Sequence, residues 1–228
     1  MNILDKINYK LFGFQPTYAQ CGEDIILAHF FRSLKMDKIT YLDIGTNDPI
    51  KCNNTYLFYK NGSSGVCVEP NPKLYAKIKS KRSRDICLNK GVGLASDNEL
   101  DFFVLNPHTL STFCKIDAEN LSNNKEANID SVIKISIIDF NNIIEIYFEN
   151  KCPDLVSIDV EGLNEEIVNA IDLSKNRPKA FCLETIKYSN TNHLEKIDSI
   201  TNKMIFNNYI IYADTYLNTI FIDNSIIN

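Results

Sequence analysis

Tyr41-Leu-Asp-Ile-Gly-Thr-Asn-Asp48 and Gly65-Val-Cys-Val-Glu-Pro-Asn-Pro72 are the two stretches whose reading decides the fold. Each begins as a short apolar run and ends in an acidic residue where a turn begins. Gly45 permits a turn that brings backbone close to a ligand, because no Cβ obstructs the approach. About twenty residues on, Val66 to Val68 forms the second run, closed by Glu69 and by two prolines that forbid its continuation. A carboxylate at the end of the second strand of a nucleotide-binding unit commonly accepts hydrogen bonds from a ribose diol. Glu69 stands where that group is needed, and the pair predicts an adenosine-containing cofactor.

Asp43-Ile-Gly45-Thr-Asn-Asp48 carries one glycine, whereas a dinucleotide fingerprint supplies three for close approach to a pyrophosphate. A polar, acidic loop suits a cation better than a phosphate. S-adenosylmethionine meets both conditions, with a ribose diol, a sulfonium and no phosphate. An ordinary strand ending in an Asx turn would leave the same trace at Asp43 alone; Glu69 at its proper remove favours the ligand site.

Working outward, strands alternate with helices. Helices are expected over Glu23 to Leu34, from the Asn53-Asn-Thr55 cap through Tyr59, over Pro72 to Lys81, from Asp139 through Glu149, over Asn164 to Ile171 and over His193 to Phe206. Strands are expected at Ile39 to Ile44, Val66 to Val68, Ile86 to Leu88, Leu155 to Val160, Ala180 to Leu183, Tyr209 to Tyr212 and Thr219 to Ile222. This alternation predicts a largely parallel sheet covered on both faces. Leu100 to Leu105 and Val132 to Ile138 read as a hairpin inserted at 100–138, and the polar stretch between its strands reads as a mobile loop of the kind that covers a site. The whole reads as one domain, 1–228, opened by a helical segment at 1–36.

Asp154-Leu-Val-Ser-Ile-Asp-Val-Glu-Gly162 is the second informative strand. Asp159 and Glu161 lie two apart and share a side if the strand persists that far. In open α/β sheets ligands bind beyond the carboxyl ends of strands, and Asp43, Glu69, Asp159 and Glu184 all fall at such ends. Helix capping is the alternative for the Asp159/Glu161 pair.

Of 228 residues, 44% are hydrophobic and 23% charged, with a formal net charge of −5. Those values suit a globular α/β domain. The densest basic run, Lys77 to Arg84, reads as the solvated face and end of a helix, so no nucleic-acid partner is expected. No apolar stretch reaches the length of a membrane span, and the N-terminus shows no signal-peptide pattern. Seven cysteines without a paired framework indicate a reducing, cytoplasmic setting. Asp159, Glu161 and Glu184 are hard oxygen ligands of the type magnesium takes, but their spacing is not diagnostic and no metal is assigned.

Several strings, in order, resemble the FkbM-type family of S-adenosylmethionine-dependent methyltransferases. They are Gln20-Cys-Gly-Glu-Asp24, Asp43-Ile-Gly45, Asp48-Pro49, Asn53-Asn-Thr55, Val68-Glu-Pro-Asn-Pro72, Gly91-Val-Gly93, Thr109-Leu-Ser-Thr112 and Ser157-Ile-Asp-Val-Glu-Gly162. The resemblance implies a Rossmann-like, seven-stranded class I methyltransferase fold and methyl transfer to a hydroxyl oxygen of a sugar or other small metabolite, or of a glycan. It implies S-adenosylmethionine contacts from Glu23, Asp43, Gly45, Thr46, Asn54, Glu69, Asn71, Asn89, Gly91 and Asp159. Removal of the acceptor proton falls to Asp159 first, then to Glu161, with His108 of the insertion a further candidate. A nicotinamide-dependent or nucleotide-sugar-modifying Rossmann enzyme, and a cofactor-binding module without turnover, are the competing readings.

Overall fold

The computed structural model describes residues 15–94, 96, 98–160, 162–188 and 194–227. Seven strands make the main sheet: β1 (Thr40–Ile44), β2 (Ser64–Val68), β3 (Ile86–Leu88), β7 (Leu155–Ile158), β8 (Ala180–Glu184), β11 (Tyr209–Asp214) and β12 (Asn218–Asp223). Their spatial order is β11-β12-β8-β7-β1-β2-β3. β12 runs antiparallel to both of its neighbours, and the other pairings are parallel. The order reverses between β1 and β7, which places the crevice for a ligand at their carboxyl ends.

Strand periodicity sorts the core into two layers. Leu42, Ile44, Val66, Val68, Val156 and Ile158 face α5 (Phe140–Tyr147), α6 (Asn164–Ala170) and α7 (Asp198–Phe206), where they meet Ile143, Val168 and Met204. Tyr41, Cys67, Leu155 and Cys182 face the other way, against Leu27 and Phe31 of α1 (Glu23–Ser33), Phe58 of α2 (Tyr56–Lys60) and Ile78 of α3 (Pro72–Lys81). Asp43 and Ser157 share that second face by the same alternation.

A three-stranded sheet stands beside the main one. β6 (Asn128–Asp139) pairs antiparallel with β5 (Glu99–Asn106) and, at its far end, parallel with β4 (Gly91–Gly93). The expected hairpin strands fall within β5 and β6. The connection expected to be a mobile loop is instead structured. It holds a 3-10 turn at His108–Leu110 and the helix α4 (Lys115–Asn123), whose Ala118 and Leu121 close on Phe103, Leu105 and Ala127. One small and one medium apolar side chain suffice there, too weak a stripe to stand out in a polar sequence.

Two other expectations change. The segment read as a helix from His193 opens with strand β10 (Leu194–Lys196), paired with β9 (Ile186–Tyr188), and turns helical at Asp198; His193 itself lies outside the described residues. The basic run at 77–84 is not wholly a solvated face. Arg82 is fully buried, with ion pairs to Asp43 and Asp85 and hydrogen bonds to Pro49 O, Asn53 Oδ1 and Thr55 Oγ1. Of the segment read as helical at 1–36, the described part is extended or turning until Gly22 and helical only from Glu23. Among the described residues no helix is long and apolar enough to cross a membrane.

Candidate active site

The carboxyl ends of β1, β2, β7 and β8 converge on a cavity of about 300 Å³, at the lower end of the range for small-molecule sites. Gly45, Glu69, Asp159 and Glu184 line its floor, and Phe102, His108 and Phe113 come over it from the inserted sheet and its connection. Backbone bonds extend the sheet past the strand ends to hold that floor: Gly45 N–H donates to Val68 O (3.0 Å), Asp159 N–H to Ile44 O (3.0 Å) and Glu69 N–H to Leu88 O (3.0 Å). Gly45 turns with φ +80, and a Cβ there would lie 1.9 Å from the Asp159 carbonyl oxygen. The glycine is required by the closeness of β1 to β7 as much as by any ligand.

Glu69 is 5% exposed. Its two carboxylate oxygens accept backbone N–H groups from Asn47 and Asn71, each at 2.8 Å. Burial nevertheless pushes its pKa up to about 7, the two hydrogen bonds and nearby Asp43 acting less strongly. Asn47, which also lines the cavity, holds a left-handed turn (φ 54), and its Oδ1 is buried without a hydrogen-bond partner.

Asp159, half-buried at the cavity wall, is pushed up to about 6 by burial and then by the charges of Asp43 and Glu23. The turn that follows it is braced by another residue: Asn164 Oδ1 accepts from Val160 N–H at 2.9 Å, and its Nδ2 donates to Glu184 Oε2 at 2.6 Å. Glu161 lies outside the described residues, so the expected carboxylate pair is described only at Asp159.

Several candidate residues support the cavity from behind. Asp43 is turned into the Arg82 cluster, accepting from Thr55 Oγ1 (2.7 Å) and Asn53 Nδ2 (3.3 Å); burial raises its pKa against the guanidinium. Thr46 donates its hydroxyl to Asp43 O, and Asn54 donates to Ser157 Oγ. Asn71 caps α3 through Lys73 N–H, and Asn89 ties the β3 end to the carbonyls of Glu69 and Pro70. Gly91 lies under the Phe113 ring, where a Cβ would come within 2.4 Å of it. Glu23 is fully buried and accepts from Cys21 N–H, Thr215 Oγ1 and Asn218 Nδ2, linking α1 to β12.

Sequence reasoning left four contributors unassigned. Asn47 shows no signal beyond lying in the turn. Phe102 falls in an expected hairpin strand and Phe113 in the polar connection after it, and only their tertiary placement brings them to the cavity. Glu184 was visible as an acidic strand end but received no role. Among the described residues no group of three His, Cys, Asp or Glu side chains is placed to hold a metal ion.

The donor set fits a sulfonium-bearing adenosine. Three carboxylates line the cavity and, among the described residues, no Lys or Arg does. A triphosphate or pyrophosphate would meet like charge; a diol and a cation meet acceptors.

Strand order, the lone antiparallel strand and a ligand crevice at the switch point define a Rossmann-like α/β methyltransferase of the class I architecture. The family model for the methyltransferase FkbM domain matches residues 43–210. The chain belongs to the FkbM methyltransferase family, and its methyl donor is S-adenosylmethionine. Solved structures similar to it include a TehB-like S-adenosylmethionine-dependent methyltransferase from Corynebacterium glutamicum, at 9% identity, 96% of this chain and 94% of that one, with a TM-score of 0.46. Another is the Burkholderia thailandensis 1,6-didemethyltoxoflavin-N1-methyltransferase, solved with 1,6-didemethyltoxoflavin and S-adenosylhomocysteine (9% identity, 89% and 77%, TM-score 0.42). A third is the precorrin-6y C5,15-methyltransferase of Geobacter metallireducens (12% identity, 86% and 83%, TM-score 0.39). The family match, not these likenesses, carries the assignment. No curated protein sequence matches the chain.

Proposed function

We propose that this methyltransferase acts on oxygen, transferring the methyl group to a hydroxyl of a sugar in a glycan or of a related hydroxylated metabolite. The observation that carries the reading is Asp159, a carboxylate at the cavity wall whose pKa of about 6 makes it a base poised near neutrality. A hydroxyl must lose its proton as it attacks, and a group of that basicity serves the step. S-adenosylmethionine, when bound, supplies a methyl group on a sulfonium that an aligned nucleophile displaces. The chain's own part is alignment and proton removal. Glu69 accepts the ribose hydroxyls on the lone pairs left by Asn47 and Asn71 N–H. Gly45 to Asn47 lines the donor's path, and Phe102 with Phe113 covers it from water. Asp159 takes the acceptor proton, with His108 above it as the second candidate.

The seven free thiols support a reducing, cytoplasmic setting for this activity. The inserted sheet serves as the roof of a single catalytic unit.

Asp159→Asn tests the reading, scored by transfer of labelled methyl to hydroxylated acceptors alongside calorimetry of S-adenosylhomocysteine. Turnover is expected to fall roughly 100- to 10,000-fold with product affinity nearly unchanged. Normal turnover in this variant, with loss in His108→Gln, moves the base to the roof. Normal turnover in both removes proton abstraction by either group.

A further inference from the structure

Cys67 and Cys87 stand opposite each other on β2 and β3, in register and on the same face of the sheet. Neighbouring strands lie about 4.8 Å apart, inside the roughly 4.4–6.8 Å over which disulfides join Cα atoms. The two thiols differ in setting. Cys67 is 1% exposed, in the layer that holds Arg82, whose Nη1 donates to its sulfur at 3.2 Å. Cys87 is half-buried on a three-residue strand at the end of the sheet. Its hydrogen bond with Cys67 holds the Cys87 thiol below its usual range, with Arg82 and Lys79 assisting against burial and the Asp85 carboxylate. Burial drives the Cys67 thiol the other way. A thiol partly open to solvent, near cationic groups and backed by a second sulfur, is the arrangement of a reactive cysteine with its resolving partner. A short strand at the end of a sheet can make the small movement that closing the bond requires.

We propose that Cys87 and Cys67 form a peroxide-sensitive pair whose oxidation to a disulfide reversibly weakens S-adenosylmethionine binding. The Cys87 thiolate attacks one oxygen of a hydroperoxide, the O–O bond breaks, and the other oxygen leaves as hydroxide or alkoxide. The Cys67 sulfur then attacks the sulfenic acid so formed, making the S–S bond and releasing water with the Cys67 proton. The two sulfurs together lose two electrons and the peroxide gains them; a dithiol reverses the change. The consequence for the donor runs through Arg82. The same Nη1 that meets Cys67 donates to Thr55 Oγ1 at 2.8 Å, and Thr55 donates to Asp43, two residues before Gly45. A Cys67 sulfur bonded to Cys87 offers the guanidinium a poorer acceptor in a changed place, and the shift reaches the cavity floor through Asp43. The inference does not depend on which atom accepts the methyl group.

The test treats the full chain with hydrogen peroxide, blocks the remaining thiols, maps disulfides by mass spectrometry and measures S-adenosylhomocysteine affinity by calorimetry. A Cys67–Cys87 disulfide is expected, with affinity about three- to tenfold weaker, the scale of one lost hydrogen bond, and restored by dithiothreitol. Cys87→Ser is expected to keep the native affinity and to ignore peroxide. Cys67→Ser is expected to stop at a Cys87 sulfenic acid that dimedone traps; should that variant fail to fold, the Cys87→Ser comparison decides alone. Oxidation confined to Cys21 and Cys52, the two exposed cysteines, would overturn the proposal. So would the expected disulfide with unchanged affinity, or a loss of affinity that persists in Cys87→Ser.

Discussion

Glu69 shows how one side chain can set the pH response of a binding site. Burial raises its pKa from 4.5 to about 7, so between those values the folded, ligand-free chain holds a proton that the unfolded chain has released. Stability from this group therefore declines as pH rises across that window. Donor affinity should run the opposite way. A ribose diol donates to an ionised carboxylate, so binding of S-adenosylhomocysteine is expected to strengthen as pH climbs towards about 7 and to level off above it. At two pH units below that value the weakening from Glu69 is about 100-fold. Calorimetry from pH 5 to 8 checks this, with Glu69→Gln as the control that flattens the profile. An identical slope in both proteins would take Glu69 out of ribose recognition. Glu69→Ala is expected to lose roughly 1.5–3 kcal/mol of binding at neutral pH.

Between the residues, the strand ends depend on missing side chains. A Cβ at Gly45 would strike the Asp159 carbonyl at 1.9 Å, and one at Gly65 would strike the Tyr41 carbonyl at 2.1 Å. Both Ala substitutions are therefore expected to destabilise by about 1–3 kcal/mol, the usual cost of overpacking. Only Gly45→Ala displaces the floor of the cavity, so at similar melting temperatures it alone should lose affinity for S-adenosylhomocysteine. Equal affinities would mean that the β1 turn plays no part in the donor site. Gly45 was legible in the sequence because glycine after a buried strand has few readings, and Glu69 because the prolines after it fix where β2 ends. Asp159 was legible for the same reason: an apolar run ended in acid. Gly65 was not, since its need arises from Tyr41 on the neighbouring strand, a contact about which local sequence says nothing. β4 is three residues long, Gly91–Gly93, and pairs with β6 forty-odd residues away. Arg82 ends a basic helix and looks solvated until Asp43, Asn53 and Asp85 are seen around it. Where pattern and location coincide the sequence suffices; where burial of a polar group depends on distant partners it does not.

At the scale of the molecule, Arg82 is the tie between the donor floor and the scaffold. Its guanidinium meets Asp43 on β1, the loop at Pro49 to Thr55 and Asp85 ahead of β3, all in the buried layer. Arg82→Met should cost about 3–5 kcal/mol, because two carboxylates would lose their buried counter-charge. Urea unfolding measures it; a loss below 1 kcal/mol, the range of a surface pair, would show the cluster to be dispensable. β12 carries a different consequence. It lies between β8 and β11, yet it follows both in the chain. As the polypeptide leaves the ribosome, β11 emerges with no strand to pair with, and the seat beside β8 stays open until β12 arrives to fill it. Asn218 and the Glu23 carboxylate it clasps, almost two hundred residues apart, can meet only then. From Glu184 until Asn218 arrives the nascent chain thus carries an open, apolar sheet edge at β8, a state in which a chaperone or a premature partner finds its easiest hold.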